Sequence, residues 1–426
     1  MKNLNADHTV LIVGASHAGI SMAEQLRKSG FNGTIDMIDR EAEMPMERPP
    51  LSKAWLSEEG AGGEGSFLMR QPEWFVENNV NFHRGADAVA ADPEQGTITL
   101  ADGTVMSWDH LILATGATPR KLPVGQLPME GGGTDSRMHV LRVPADAENL
   151  SHAMADAQSI VIIGGGYIGL EVAASAKKRG LDVTVIEMAP RLLARVASPE
   201  ASAYFHQLHT DHGTTIRTAT GVESISSSEN GIILDLTSDL DSDQGGETLT
   251  ADLVLAGIGV IPDMVLTEQL GLDTGNGILV DQHYATAREG IWAIGDVALP
   301  SGGYTDGAMR VESVHHAQMS AEIAAAAMTG NTPKDHEVPW FWSEQYDKKL
   351  QSAGLYAAGA DVISRQGRRE GSVSFWAFDG DDLISVEAIG DPQAFMIGKT
   401  VLSEDKPLTK EELADPEFEL KAVLKR

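Results

Sequence analysis

Residues 160–171 read I-V-I-I-G-G-G-Y-I-G-L-E, and residues 182–187 read D-V-T-V-I-E. The apolar run 160–163 is a buried strand, too short for a helix. Gly164, Gly166 and Gly169 then stand in G-x-G-x-x-G spacing. The first allows a tight turn, the second lets the backbone approach a pyrophosphate, and the third lets the helix pack close to the strand. The helix start presents unpaired N–H groups and partial positive charge to that pyrophosphate. Arg179-Gly180 ends the helix, and a second strand delivers Glu187, about 20 residues on, where a ribose 2′-hydroxyl is bound. Strand, turn, helix, strand and acid in this order are the context that the glycine motif requires. A carboxylate repelling a 2′-phosphate near 4 Å costs about 4 kcal/mol at an effective dielectric near 20. NAD(H) is therefore expected over NADP(H) by roughly three decades, a margin that nearby Arg191 would narrow.

The same pattern opens the chain. Residues 10–13 are a short apolar strand, followed by G-A-S-H-A-G at 14–19. Gly14 and Gly19 hold the outer glycine positions and Ser16 replaces the middle one. A helix runs to about Gly30, and the strand 35–38 ends at Asp39. Two such units in one chain imply two nucleotides, most simply a flavin and a nicotinamide. Between them, E-R-P-P-L-S-K (47–53) is expected to be extended by its two prolines, holding Arg48 and Lys53 rigidly. Residues 86–107 read as a small β-excursion. The strand 111–114 feeds Thr115-Gly116, whose backbone could approach a phosphate. The Gly/Pro-rich segment 117–137 is the crossover into the second unit.

After the second unit come a strand at 231–236, an acidic loop at 238–247 and a strand at 253–256, with G-I-G-V-I-P-D as the return crossing. The stretch I-W-A-I-G-D (291–296) is a strand ending in Gly-Asp, before a helix from about Ser313 to Met328. These late segments supply strands that the first unit lacks, so the second unit is an insertion. From Pro333 the pattern becomes short alternating strands at 351–357, 372–378 and 383–389, a C-terminal α+β module. The expected fold is thus α/β, with two Rossmann-like domains and that module. The boundaries are 1–118 and 252–332 for the first domain, 119–251 for the inserted one and 333–426 for the last.

Composition narrows the function. The 426 residues exceed one ordinary domain. Lys+Arg 32 against Asp+Glu 62 gives a net charge of −30, which disfavours nucleic acid and anionic membranes as partners. There is no cysteine, so no redox thiol pair and no thiolate metal site can form, and no metal site is expected. No apolar run reaches the ~18 residues of a bilayer span, and the N-terminus lacks a signal core. A soluble, cytoplasmic protein is expected, either monomer or homodimer.

The segments R-P-P-L-S-K (48–53), A-T-G-A-T-P-R (114–120), G-G-G-Y-I-G-L-E (164–171), A-I-G-D-V-A (293–298), R-V-E-S-V (310–314) and P-W-F-W-S-E-Q-Y (339–346) together resemble the flavin-dependent ferredoxin reductases that serve oxygenases, of the putidaredoxin reductase and biphenyl dioxygenase reductase type. The resemblance spans essentially the whole chain. It implies FAD on Gly14, Ser16, His17, Ala18, Gly19, Asp39, Arg40, Val89, Ala114, Thr115, Gly116, Ser313 and Val314. Arg48, Arg142 and Asp296 would hold the FAD phosphates or ring, and Trp342 would flank the ring. It implies NAD(H) on Gly164, Gly165, Gly166, Tyr167, Ile168, Gly169, Glu187, Arg195 and Gly259. Lys53 would sit near the isoalloxazine and pair with Glu171, the two tuning hydride transfer. The implied acceptor is a two-iron, two-sulfur ferredoxin feeding a haem monooxygenase or ring-hydroxylating dioxygenase. Because such ferredoxins are acidic, a local basic patch would be needed, with Arg310, Lys348 and Lys349 as candidates. The competing expectations are a cysteine-independent NADH:quinone or monodehydroascorbate-type reductase, and an NADH-responsive interaction module.

Overall fold

The computed structural model describes residues 4–57, 67–122, 135–238, 247–302, 304 and 309–426. The chain forms two compact units. The first comprises 1–47, 67–118 and 260–340, and the second comprises 48–66, 119–259 and 341–426.

The first unit is built on a five-stranded sheet in the order Ile291–Ala293, His110–Leu113, Thr9–Val13, Thr34–Asp39, Val80–Arg84. Every neighbouring pair is parallel. Val10, Leu11 and Ile12 are wholly buried, as a strand covered on both faces requires. The motif helix His17–Lys28 packs along Val314–Met328. The excursion is a three-stranded antiparallel sheet, Ala88–Asp92, Thr97–Leu100 and Val105–Ser107.

The second unit repeats the parallel design, with Thr215–Arg217, Asp182–Ile186, Ser159–Ile163, Leu253–Ala256 and Met138–His139 side by side. Strand 253–256 pairs with Ser159–Ile163. It therefore lies in the inserted sheet, not in the returning part of the first domain that was expected from residue 252 onward. The reason is its apolar run, which supplies a buried strand of that sheet beside Ser159–Ile163. The C-terminal sheet orders as Trp340–Gln345, Lys348–Gly354, Asp382–Ile389, Val373–Asp379, Asp361–Gln366, with the helix Pro392–Glu404 against it. Leu350, Val373, Phe375 and Ile389 of this module share one core with Leu150, Leu170 and Phe205. The inserted sheet and the C-terminal module are thus one packed body.

Three local expectations change. The segment after Arg48 is not extended but winds into two short 3₁₀ turns, Pro49–Ser52 and Ala54–Leu56. A helical first turn needs no N–H from its leading residues, and proline's fixed φ suits it. The strand expected at 351–357 is Lys348–Gly354. It stops where Gly354, at φ +78°, leaves no room for a Cβ, which would lie 2.1 Å from the Ile384 carbonyl oxygen. The strand expected at 291–296 ends at Ala293, and Gly295–Val297 turn in 3₁₀ form. Residues 123–134, with Gly131-Gly132-Gly133, and 239–246 of the acidic loop lie outside the described residues. Among those described, no helix is long and apolar enough to cross a membrane.

Candidate active site

Both glycine motifs fold as nucleotide cradles, and they do so by the same construction. Gly14 has φ +107°, and a Cβ there would lie 2.3 Å from the Ala114 carbonyl oxygen. Gly164 has φ +111°, with a Cβ 2.4 Å from the Gly257 carbonyl oxygen. Only glycine fits either place. At the ends of the second strands the carboxylates turn back onto the motif. The Ala15 N–H donates to Asp39 Oδ2 at 2.6 Å and the Glu41 N–H to Oδ1 at 2.8 Å. The Gly165 N–H donates to Glu187 Oε2 and the Ala189 N–H to Oε1, both at 2.7 Å. Each acid closes the lip of its motif, with oxygen lone pairs left for ribose hydroxyls.

The helices behind the motifs carry no side-chain N-cap at Ser16 or Gly166, so their first N–H groups face an incoming pyrophosphate. A Cβ on Gly166 would meet nothing within 4 Å. That open space is where a phosphate would come against backbone. The donor chemistry and the room fit a dinucleotide in each cradle.

Other expected FAD residues gather in the first unit. Arg40 donates to Asp263 Oδ2 at 2.8 Å, Thr115 Oγ1 to the Asp263 carbonyl at 2.7 Å, and the Asp263 N–H to the Gly116 carbonyl at 2.9 Å. Asp263 thus ties three of them together, although spacing gave it no role. His17 is buried and its Nε2 lies 2.7 Å from Glu47 Oε2. This bond holds the Glu47 carboxyl below the usual carboxylate range.

The turn bearing Asp296 packs on the motif helix, since a Cβ on Gly295 would sit 2.8 Å from the Ala18 Cβ. Ser313 caps the helix that starts at Val314 by accepting from the His316 N–H. Val89 is the extra residue of a β-bulge between Ala88 and Ala90.

Arg310 corrects an expectation. Its Nη1 donates to the Asp296 carbonyl at 2.7 Å and its Nε to the Asn276 carbonyl at 3.0 Å, and it pairs with Glu312. With its side chain only 5% exposed, it braces the Asp296 turn and offers no docking charge. Lys348 and Lys349 are ion-paired with Asp347 and Glu344, which lowers their standing as a basic patch.

The second unit holds Arg48, Lys53, Arg142 and Trp342. Arg48 Nη1 donates to the Arg142 carbonyl at 3.2 Å. Lys53 and Glu171 meet as expected, Nζ to Oε2 at 2.6 Å. Glu171 is 5% exposed and also accepts from Ser52 Oγ at 2.5 Å and Ser343 Oγ at 2.6 Å. Three donors around one carboxylate offset the cost of burying it. Trp342 precedes Ser343 on one strand, so the two side chains point to opposite faces.

Tyr167, at the start of the second motif helix, packs edge-on against Phe341 at 4.8 Å. Burial and the nearby Glu387 and Glu171 push its phenol well above the ordinary range. The next residue, Ile168, is exposed. Gly169 lets the helix reach the turn, because a Cβ would lie 2.2 Å from the Gly164 carbonyl. A Cβ on Gly259 would be 3.4 Å from Arg195 Nη2, and the Gly259 carbonyl accepts from the Arg120 N–H at 2.9 Å. Arg120 therefore joins Arg195 and Gly259, a cation the sequence displayed without a role.

Comparison with known proteins agrees with this construction. Residues 8–321 match the family model described as pyridine nucleotide-disulphide oxidoreductase, and 340–424 match the one described as reductase C-terminal. The chain is 40% identical to rhodocoxin reductase of Rhodococcus erythropolis, over 98% of this chain and 95% of that one. It is 35% identical to putidaredoxin reductase of Pseudomonas putida, over 99% and 98%. The crystal structure of the covalent putidaredoxin reductase–putidaredoxin complex superposes with a TM-score of 0.91 at 35% identity, covering 99% of each chain. The chain belongs to the pyridine nucleotide-disulphide oxidoreductase family, in its branch with the reductase C-terminal module, and is an oxidoreductase using FAD and NAD(H).

Proposed function

We propose that this protein carries electrons from NADH, through FAD, to a two-iron, two-sulfur ferredoxin serving an oxygenase. The observation that carries this reading is a pair of complete dinucleotide cradles in a chain without cysteine. With no thiol to receive reducing equivalents, they must leave for an external acceptor. Relatives matching nearly the whole chain are named as reductases of rhodocoxin and of putidaredoxin, and another as the ferredoxin reductase component of an anthranilate dioxygenase system.

FAD, when bound, accepts a hydride and can return its electrons one at a time. The chain's own residues bind and tune. In this reading the first cradle takes FAD, with Asp39 on its adenosine ribose and Arg48, Arg142 and Asp296 toward its phosphates or ring. The second takes NADH, with Glu187 on the ribose and Gly166 against the pyrophosphate. Lys53, anchored by Glu171, would supply a fixed cation toward the isoalloxazine, Val314 would offer it a helix N-terminus, and Trp342 would flank the ring. NADH as donor places the work in the cytoplasm.

Anaerobic stopped-flow mixing with NADH should bleach the flavin absorbance rapidly. A second mixing with a two-iron, two-sulfur ferredoxin should restore it within turnover time. Fast reoxidation by quinone or oxygen with none by any ferredoxin would overturn the acceptor assignment. A long-lived charge-transfer band with slow turnover would instead favour an NADH-responsive interaction protein.

A further inference from the structure

Behind the Lys53–Glu171 pair runs a buried polar chain that the electron-transfer reading does not use. Ser343, Gln345 and His209 are each no more than 1% exposed. Ser343 Oγ donates to Glu171 Oε1 at 2.6 Å, and Gln345 Nε2 donates to Ser343 Oγ at 3.1 Å. His209 Nε2 lies 2.8 Å from Gln345 Oε1, and Tyr346 Oη lies 3.4 Å from His209 Nδ1 and 3.4 Å from Thr214 Oγ1.

The direction of every link is fixed by chemistry. Glu171 only accepts, so the Ser343 hydroxyl donates to it and must accept from the Gln345 amide. The Gln345 carbonyl then needs a donor, which makes His209 the Nε2–H tautomer and leaves Nδ1 to accept from the Tyr346 hydroxyl. Burial lowers the His209 pKa to about 4, so the ring is neutral, as this order demands. All donors therefore point one way, toward the carboxylate, and a chain so aligned reinforces its last bond. The amide of Gln345 interrupts any proton passage, so the chain orients and does not conduct.

We infer that Ser343, Gln345 and His209 are positioning residues that lock Glu171 in the rotamer holding the Lys53 ammonium. The elements supplying them, helix Pro199–Asp211 and strand Trp340–Gln345, thereby couple the inserted sheet and the C-terminal module to one cation. The inference rests on the proposed role of Lys53 only for its kinetic consequence.

Two substitutions separate orientation from packing. Gln345→Met keeps the volume and removes both bonds. Ser343→Ala removes the hydroxyl that donates to Glu171 and leaves Gln345 bonded to His209. Acetic anhydride footprinting of the FAD-loaded protein reads Lys53 directly, with exposed Lys28 as internal reference. Both variants should acetylate Lys53 about fivefold faster, the equilibrium value of one lost hydrogen bond, and the NADH-driven bleaching rate should fall while the dissociation constant for NADH holds. Unchanged Lys53 labelling in both variants, with only a lower melting temperature, would overturn the inference, since packing alone predicts that result. Should Gln345→Met not fold, Ser343→Ala decides alone. Lys53→Met with an undiminished bleaching rate would instead sink the electron-transfer role of Lys53 and leave the labelling result standing.

Discussion

The two cradles use one backbone design and differ in what surrounds it. Each has a glycine at positive φ, a following N–H bonded to the acid at the end of the second strand, and a helix start without a side-chain cap. Yet Ser16 stands where the other has Gly166, Asp39 where the other has Glu187, and buried His17 bonds Glu47 where Tyr167 packs on Phe341. In the proposed reading the shared parts handle a pyrophosphate and a ribose, which any dinucleotide presents. The His17–Glu47 and Tyr167–Phe341 contacts instead fasten each cradle into its own unit. Physical demands common to the ligands repeat, and demands set by neighbours do not.

The largest effect expected is from the turn glycines. Gly164→Ala must place a Cβ 2.4 Å from a carbonyl oxygen at φ +111°, and should destabilise the second unit by about 4 kcal/mol or more. Gly14→Ala should do the same to the first unit, and thermal unfolding with the variants side by side shows whether the cradles are equally intolerant. Next comes Glu187→Arg, which should abolish most NADH preference. The removed repulsion of a 2′-phosphate is worth about 4 kcal/mol, and kcat/KM with NADH and NADPH measures it. Unchanged selectivity would show that Glu187 serves only the Gly165 and Ala189 N–H groups.

The units should also part company with pH. In the first, Glu337 is pulled down to about 2, chiefly by its hydrogen bond to Lys334, and Glu47 is lowered by His17. Their stabilisation is full above the ordinary carboxylate pKa and is lost as pH falls through the folded values. In the second, burial raises Glu387 to about 7 from 4.5, against the Ser198 N–H that it accepts. The unfolded chain releases that proton first, so stability falls as pH rises from about 4.5 to about 7, by an amount on the order of 3 kcal/mol. Glu387→Gln should remove this decline and leave the acid limb untouched in denaturant titrations across pH.

The smallest effects belong to the middle motif position. Gly166 has φ −81° and open space beside it. Gly166→Ala should fold within about 0.5 kcal/mol of the parent yet weaken NADH about tenfold by crowding the pyrophosphate. Ser16→Gly should change FAD retention least of all, because the first cradle already works around a side chain there. A large loss from Ser16→Gly, read by flavin fluorescence on dilution, would show that the hydroxyl itself contacts a ligand.

Much of this molecule is legible in its sequence. Glycine spacing, strand–helix alternation and a terminal acid are local rules, because a phosphate-binding turn is built from neighbours in the chain. The absence of cysteine excluded thiol chemistry outright. The pairing of Lys53 with Glu171 came from resemblance, since no spacing connects them.

Only the tertiary structure revealed that Arg310 braces the Asp296 turn, that Asp263 gathers Arg40, Thr115 and Gly116, and that His209, Gln345 and Ser343 stand in line behind Glu171. These contacts join residues far apart along the chain. Which buried polar groups become partners is settled when separate elements pack and each donor must find an acceptor. Sequence fixes a turn because the turn is made of consecutive residues, whereas a buried network exists only once the layers close.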